Sequence, residues 1–277
     1  MPPIALSHIA GMELAPSQWP MLGLAIMAAA FVLVALVELA APVRQAVQSK
    51  PQRWLTNLAL FAIDTLAVRL VLPAAMLGEA LLAAERGWGL FNAVEVPAWL
   101  AFIATLLVLD FALYMQHRAT HEIPLLWRLH RVHHSDRDFD VTTAARFHPV
   151  EIVLSMVWKC GVVIALGAPV LAVFVFEVGF AVATLFTHAN FALPRRIDRA
   201  MQSLFVTPDM HRIHHSALER ETNSNYGTTL SLWDKLLGTY RGEPEREQTR
   251  MTIGLDEWQD DRPARLGFSL LLPFQRR

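Results

Sequence analysis

The chain has one cysteine, Cys160, among 277 residues. That excludes an internal disulfide framework and any zinc or iron–sulfur site built from several thiolates. Charge is also scarce: Asp, Glu, Lys and Arg make up 18% of the residues, where soluble domains run near a quarter. Lysine is the rarest charge, with only Lys50, Lys159 and Lys235 beside many arginines, a bias that fits a GC-rich bacterial source. The first 18 residues hold no Lys or Arg, so the basic start of a secretory signal is missing and none is expected there. Net charge is −1, which offers no whole-chain attraction to nucleic acid. Several catalytic signatures are missing too. The chain has no Gly-x-Gly-x-x-Gly, no phosphate loop and no Gly-x-Ser-x-Gly elbow. His121-Glu122 lacks the second histidine of a zincin, and no Glu-x-x-His pairs with further carboxylates.

What is abundant is apolar: 54% of the residues, with a positive mean hydropathy. These residues are blocked into long runs. About 20 apolar residues cross the hydrocarbon as a helix. Trp19 to Ala41 is such a run, with Glu38 near its end. Leu55 to Ala84 is long enough, though it carries Asp64, Arg69 and Glu79. Pro97 to Gln116 is a third run, with Asp110 inside it. Val150 to Thr187 is about twice one span. Gly167-Ala168-Pro169 interrupts it, which predicts a turn between two helices of a hairpin. Lys159 and Glu177 lie within that hairpin.

Positive charge alternates along these runs. The loop 42–54 holds Arg44, Lys50 and Arg53, whereas 85–96 holds only Arg86. The loop 117–149 holds five basic residues, the turn 167–169 none, and 188–277 thirteen. The positive-inside rule then puts the N-terminus outside and the basic segments in the cytoplasm. Neither cytoplasmic piece is long enough for an independent core, so the two are expected to pack together against the membrane face. Ile197 to Val206 and Leu266 to Phe274 are amphipathic and suit the interface.

Histidine is the other excess. Ten of eleven fall between residues 117 and 215. His117 and His121 are spaced His-x-x-x-His. His130, His133 and His134 are spaced His-x-x-His-His, and His211, His214 and His215 repeat that spacing. His148 and His188 stand singly between the groups, and His8 lies outside the pattern, where a surface position is expected. Positions i, i+3 and i+4 share a helix face, so each group can offer two or three nitrogens toward one point. A lone histidine on an apolar helix is ordinarily a core residue; three spaced groups in one chain are not. One metal takes about four to six ligands, so ten imidazoles imply two metals. Nitrogen-rich sites suit iron, zinc, copper or nickel.

With its three boxes, His117-Arg-Ala-Thr-His121, His130-Arg-Val-His133-His134 and His211-Arg-Ile-His214-His215, the chain resembles the fatty acid hydroxylase superfamily, which includes sterol desaturases. Arg146-Phe-His148-Pro149-Val-Glu151, His188-Ala-Asn190, Thr207-Pro208, Asn225-Tyr226-Gly227 and the stretch Leu232-Trp233-Asp234 through Gly238-Thr-Tyr240 support the likeness. It covers roughly residues 97–240. The resemblance implies an all-α, multi-pass transmembrane bundle with a cytoplasmic helical cap holding the dimetal site. The apolar runs, the charge pattern and the resemblance, to which residues 1–96 do not contribute, together divide the chain into a two-span N-terminal region (1–96), a hydroxylase-like domain (97–240) and a cytoplasmic tail (241–277).

The resemblance further implies a non-haem di-iron oxygenase that hydroxylates or desaturates an unactivated C–H bond of a lipid or sterol-like substrate, using dioxygen and two electrons. Such a bond needs an oxidant beyond any side chain, so a metal must carry the chemistry. His117, His121, His130, His133, His134, His148, His188, His211, His214 and His215 would hold two irons, with zinc as a substitute in preparations. Glu151, Asn190, Asp209 and Asp234 are candidates to orient the imidazoles. Asp110 lies seven residues before His117 on the same helical face, with either a tunnel role or a hydrogen bond to a neighbouring helix. The chain carries no recognisable haem or flavin domain, so a separate reductase or small redox protein is the expected electron donor. The other class is a non-catalytic membrane metal protein, either a metal transporter or a haem-bearing electron carrier. A transporter would place its ligands near the bilayer midplane, and a haem carrier would leave most of the histidines unexplained.

Overall fold

A computed structural model describes residues 18–72 and 75–275; His8 lies outside them. The described residues form thirteen α-helices and no strand beyond two isolated bridges. In order these are α1 (Trp19–Ala40), α2 (Lys50–Val71), α3 (Ala75–Arg86), α4 (Leu90–Ala93), α5 (Ala98–Glu122), α6 (Pro124–His134) and α7 (Pro149–Leu166). There follow α8 (Val170–Thr187), α9 (Arg195–Met201), α10 (Pro208–His214), α11 (Glu219–Thr222), α12 (Leu232–Leu236) and α13 (Leu266–Leu271). Five segments are long and apolar enough to cross a membrane: α1, the stretch Lys50–Ala93, α5, α7 and α8. The chain is therefore the all-α, multi-pass bundle that its apolar runs predict.

The run Leu55 to Ala84 is not one helix. α2 ends at Val71 and α3 begins at Ala75. Pro73 follows Leu72, whose φ of −131° has left the helical region; a residue before proline is pushed toward extended backbone. The predicted hairpin is present. Gly167 closes α7 in the left-handed region at φ +60°, and Pro169 leads into α8. Gly89, at φ +92°, lies so close that an added Cβ would sit 2.0 Å from the Gly167 nitrogen. The loop 87–97 is thereby pressed onto the hairpin turn.

In the bundle α1 packs on α8, α2 on α7, and α3 and α5 on both hairpin helices. Small residues at these contacts (Ala80, Ala83, Ala168, Ala172) are fully buried, as expected where close backbone approach rather than hydrophobic burial holds helices together in lipid. Large apolar side chains such as Met21, Leu33, Leu55 and Leu70 point outward. α2 turns a single stripe inward: Arg53, Asn57, Leu60, Asp64 and Val68. Its spacing of three and four is one helix face.

The cap lies at one end of the bundle. Pro124 starts α6 immediately after Ile123, so α5 and α6 meet at a one-residue corner. Leu60 of α2 and Val132 of α6 share an apolar core with Leu255, Trp258 and Leu272. Residues 241–275 fold back over the cap. Arg128 donates to Pro273 O at 2.8 Å and Arg131 to Gln275 O at 2.8 Å. Arg44 is bonded to Met251 O at 2.7 Å and to Gln248 O. Of the two amphipathic segments, the first exposes Ile197, Leu204 and Phe205, and the second exposes Leu271 and Phe274.

Candidate metal centre

Nine histidines converge in two groups. His117, His121, His130, His134 and His214 form the first; His133, His188, His211 and His215 form the second. Within each group one ligand atom per residue lies within 4.8 Å of all the others. Each His-x-x-His-His box is divided between them. The i and i+4 members, His130 with His134 and His211 with His215, stay together. The i+3 members, His133 and His214, go to the other group. At 100° per residue, i and i+4 differ by about 40°, while i+3 points about 60° to the other side. Two boxes facing each other across α6 and α10 can therefore serve two centres at once.

The helix ends that set these directions follow from local sequence. Pro208 opens α10 and Thr207 caps it, its hydroxyl accepting from the Met210 N–H at 3.4 Å. His188 and His215 follow the last turns of α8 and α10 as cap residues.

The protonation of the rings is constrained by their outer partners. His117 Nδ1 donates to Tyr226 O at 2.7 Å, and His214 Nδ1 to Ser224 O at 2.7 Å. His133 Nδ1 donates to Arg146 O at 3.1 Å, and His188 Nδ1 to Thr184 O at 2.8 Å. A carbonyl only accepts, so each Nδ1 carries the proton and each Nε2 of a neutral ring is a bare lone pair. Those Nε2 atoms face one another. The pairs His117–His130, His117–His214 and His188–His211 are 3.1 Å apart, and His133–His188 is 3.2 Å. For the His117–His214 and His133–His188 pairs no proton lies between. His121 Nε2, His134 Nε2 and both His215 nitrogens are buried with no partner.

Facing lone pairs repel unless a cation sits among them. Nitrogens at about 2.1 Å from one metal are separated by roughly 3.0 Å at right angles and roughly 3.4 Å at tetrahedral angles. The observed spacing falls in that window, so the residues fit a metal in each group. Burial and neighbouring imidazoles also hold the rings neutral. His133, His134, His211 and His215 are pushed well below the usual imidazole range. Burial lowers His214 to about 3 and His188 to about 4, against their bonds to Ser224 and Thr184. Neutral imidazole is the ligating form.

Aromatic side chains wall the groups from water. Phe147 stacks on His133 at 4.4 Å, Trp127 lies 5.0 Å from His121 and 5.5 Å from His134, and Phe139 lies 5.6 Å from His188.

Of the four residues expected to orient imidazoles, only Glu151 touches one: its Oε1 accepts from His130 Nδ1 at 2.6 Å. Asp234 acts at one remove. It accepts the N–H groups of Tyr226 and Gly227 at 2.8 and 2.9 Å, holding the turn whose carbonyl takes His117. Asp209 pairs with Arg212 at 2.7 Å, and Asn190 is bonded to both backbone groups of Arg44. Asp110 accepts from Trp233 Nε1 at 2.8 Å, the hydrogen bond to a neighbouring helix. His148 stands outside both groups. Its Nδ1 accepts the Val150 N–H at 3.2 Å as the cap of α7, and its Nε2 lies 3.3 Å from Leu270 O.

A network absent from the motif reading holds the cap to α2. Arg53, fully buried, donates to Asp136 at 2.6 Å and Asp140 at 2.7 Å. Asn57 donates to Asp136 at 3.1 Å and accepts from Arg146 at 2.9 Å. Arg146 also donates to Val132 O, Ser135, Pro263 O and Ser269. Burial lowers its guanidinium to about 10, still a cation at neutral pH. Glu38 of α1 accepts the N–H groups of Val141 and Asn190, tying the segments that follow His133 and His188 to the bundle. Its placement inside an apolar span was the available signal.

Fold and site together define a polytopic helical protein with paired imidazole clusters buried at one end of its bundle. Residues 102–239 match the fatty acid hydroxylase family. The chain belongs to the fatty acid hydroxylase/sterol desaturase superfamily. It is similar to ornithine lipid hydroxylase OlsE of Rhizobium tropici, with 36% identity over 159 residues, 57% of this chain and 46% of that protein. It is also similar to alkylglycerol monooxygenase of Homo sapiens, with 30% identity over 161 residues, 57% of this chain and 34% of that protein. A third relative is fatty acid hydroxylase vlmA of a Lecanicillium species, 27% identical over 165 residues, 51% and 42% of the two chains. Each of these matches spans less than half the relative's length. No solved structure matches the chain significantly.

Proposed function

We propose that this chain is a membrane-bound lipid hydroxylase whose two imidazole groups hold two irons. The observation that carries the reading is the set of facing, unprotonated Nε2 atoms fixed by carbonyl partners on Nδ1. Nine histidines hold the metals in this reading, five at the first centre and four at the second. Bound iron would supply the two-electron activation of dioxygen that no side chain provides. Overall, one C–H bond, dioxygen, two electrons and two protons give one C–OH group and water. The electrons come from a separate reductase or small redox protein, and the substrate is a lipid that reaches the site from the bilayer.

The chain's own groups do the rest. Backbone carbonyls of Tyr226, Ser224, Arg146 and Thr184 keep protons on the outer ring nitrogens. Glu151 Oε1 holds the Nδ1 proton of His130, which strengthens Nε2 as a donor to metal. Phe147, Trp127 and Phe139 exclude bulk water. The relatives named as lipid hydroxylases and monooxygenases support this chemistry. The basic segments at the cap end favour a cytoplasmic active site. Ligands at helix ends rather than mid-span speak against a transporter.

Metal analysis with an absorption spectrum tests the centre: two irons per chain and no Soret band are expected, and a Soret band refutes it. Membrane lipids of cells with and without the protein test the reaction. An oxygen-dependent gain of one oxygen atom is expected; a loss of two hydrogens would mean desaturation by the same ligands. His214→Ala should lower turnover by at least the roughly 10–100-fold that losing an outer partner of a ligand costs, and undiminished turnover overturns its assignment.

A further inference from the structure

The loop that carries α12 runs down the outside of α5 and back, and three contacts give its course. Tyr226 O takes the Nδ1 proton of His117. Trp233 Nε1 donates to Asp110 at 2.8 Å. The hydroxyls of Thr239 and Tyr114 are 2.8 Å apart. The apolar run of α5 ends at Gln116. At 1.5 Å per residue, Asp110 lies about 9 Å inside that end and Tyr114 about 3 Å inside it. Residues 226–240 therefore leave the cap at Tyr226, reach the depth of Asp110 at Trp233, and have returned toward the cap by Thr239.

The dip is built for an apolar medium. Non-helical backbone at membrane depth must be satisfied within the protein. Asp234 accepts the N–H groups of Tyr226 and Gly227, and its carbonyl accepts that of Thr239 at 2.8 Å. Lys235 turns its ammonium onto the carbonyls of Gln202 and Ser203. What faces outward is apolar: Leu236 is 66% exposed and Leu237 44%. Trp233 packs on Phe111 with ring centroids 4.9 Å apart. Phe111 continues an exposed row on α5, with Ile103 and Leu107 at spacings of four. The outer face of the loop is thus continuous with the lipid-facing side of a span, which identifies what covers it. Beside the dip lies the α9 segment, joined to it by Ser231 N–H to Leu204 O and Val206 N–H to Thr229 O, both 3.0 Å. It exposes Ile197 and Phe205 next to Arg195, Arg196 and Arg199. Glu243 is shared by two of these arginines at 3.7 and 3.8 Å, and Asp198 is turned inward onto Gln202, so the outer row stays positive. Apolar residues beside a row of arginines suit the anionic head groups of a leaflet.

We propose that residues 226–240 form a re-entrant loop seated among the acyl chains of the cap-side leaflet, with the α9 arginines on its anionic head groups. The inference rests on the membrane-spanning bundle and is independent of the metal reading.

The test uses the full chain in nanodiscs of phosphatidylcholine, with and without phosphatidylglycerol. Nitroxide labels are placed one at a time at Leu236→Cys, Ile197→Cys, Ile103→Cys as the reference for a span, and Glu257→Cys as the reference for the exposed cap. The wild type, whose single Cys160 is buried, is the labelling blank. Collision with oxygen, which concentrates in lipid, is compared with collision with a water-soluble nickel chelate. All four sites are exposed, so labelling should leave a monodisperse protein. The label at Leu236 should favour oxygen as at Ile103. A label that favours the nickel chelate as at Glu257 overturns the proposal. So does one shielded from both reagents, which would mean that a second copy or another protein covers the face. At Ile197 the oxygen-to-nickel ratio should rise when phosphatidylglycerol is included. Joint replacement Arg195→Gln, Arg196→Gln and Arg199→Gln should abolish that rise. A ratio indifferent to phosphatidylglycerol, or a rise that survives the replacement, also overturns the proposal.

Discussion

Arg53→Met removes the cation that two buried carboxylates share. Asp136 and Asp140 are 1% and 4% exposed, and both lie within 2.7 Å of the guanidinium. Methionine fills much of the same volume but leaves the acids unpaired. Breaking a buried pair by deleting one partner costs about 3–5 kcal/mol. For a body of this size each kcal/mol shifts the melting temperature by about 2–4 °C, so thermal unfolding in detergent should fall by roughly 10 °C. The same network carries the Arg146 carbonyl that orients His133, so the second imidazole group should lose metal before the first. The pH dependence follows from Asp140. Burial alone would raise its carboxyl, but Arg53 and its hydrogen bonds hold it down at about 2. An acid whose folded value lies below its unfolded value, near 3.9, stabilises above about pH 4. That contribution, about 2 kcal/mol, is lost as pH falls through about 2. The wild type should therefore destabilise across that window, and Arg53→Met should lack this component. A melting shift under about 3 °C, with the acid profile unchanged, would refute the view that this network locks the cap to α2.

His148→Ala should leave two metals per chain, because His148 lies outside both groups and caps α7. Loss of the cap should cost about 1 kcal/mol, and a drop in metal content would put His148 back among the ligands. Gly89→Ala should abolish stable folding, read as loss of the monodisperse peak on size exclusion, since its Cβ would lie 2.0 Å from the Gly167 nitrogen at a left-handed φ. Gly87→Ala is the control: φ is +68° but nothing lies within 4 Å, so the cost should stay near 1 kcal/mol. Equal behaviour of the two variants would argue against a close packing of the loop 87–97 on the hairpin turn.

Much of this architecture was legible because membranes constrain it so strongly. A helix that crosses lipid must be apolar along its whole length, so Trp19–Ala40 and the hairpin about Gly167 could be read directly. The break in the second run was also visible in principle, as Pro73. The gathering of the histidines was legible because His-x-x-x-His and His-x-x-His-His are statements about helix faces. The partners of those histidines were less so. Glu151 was identified, but the carbonyls of Tyr226, Ser224, Arg146 and Thr184 have no residue-type signature, since every residue carries one. The Arg53–Asp136–Asp140–Arg146 network, which reaches Ser269, joins residues up to 123 positions apart, and their charges read equally well as surface loop residues.

Periodicity and charge thus sufficed for the class: an apolar multi-span bundle with imidazoles gathered at its basic end. They act along the chain, within a few residues, and need no knowledge of what packs on what. Tertiary structure decided everything that depends on two segments meeting. It divided each His-x-x-His-His box between two centres, because the crossing of α5, α6 and α10 determines which faces confront each other. It set His148 apart as a helix cap. It also joined Arg53 of α2 to Asp136 and Asp140 beyond α6, a relation that no local pattern contains.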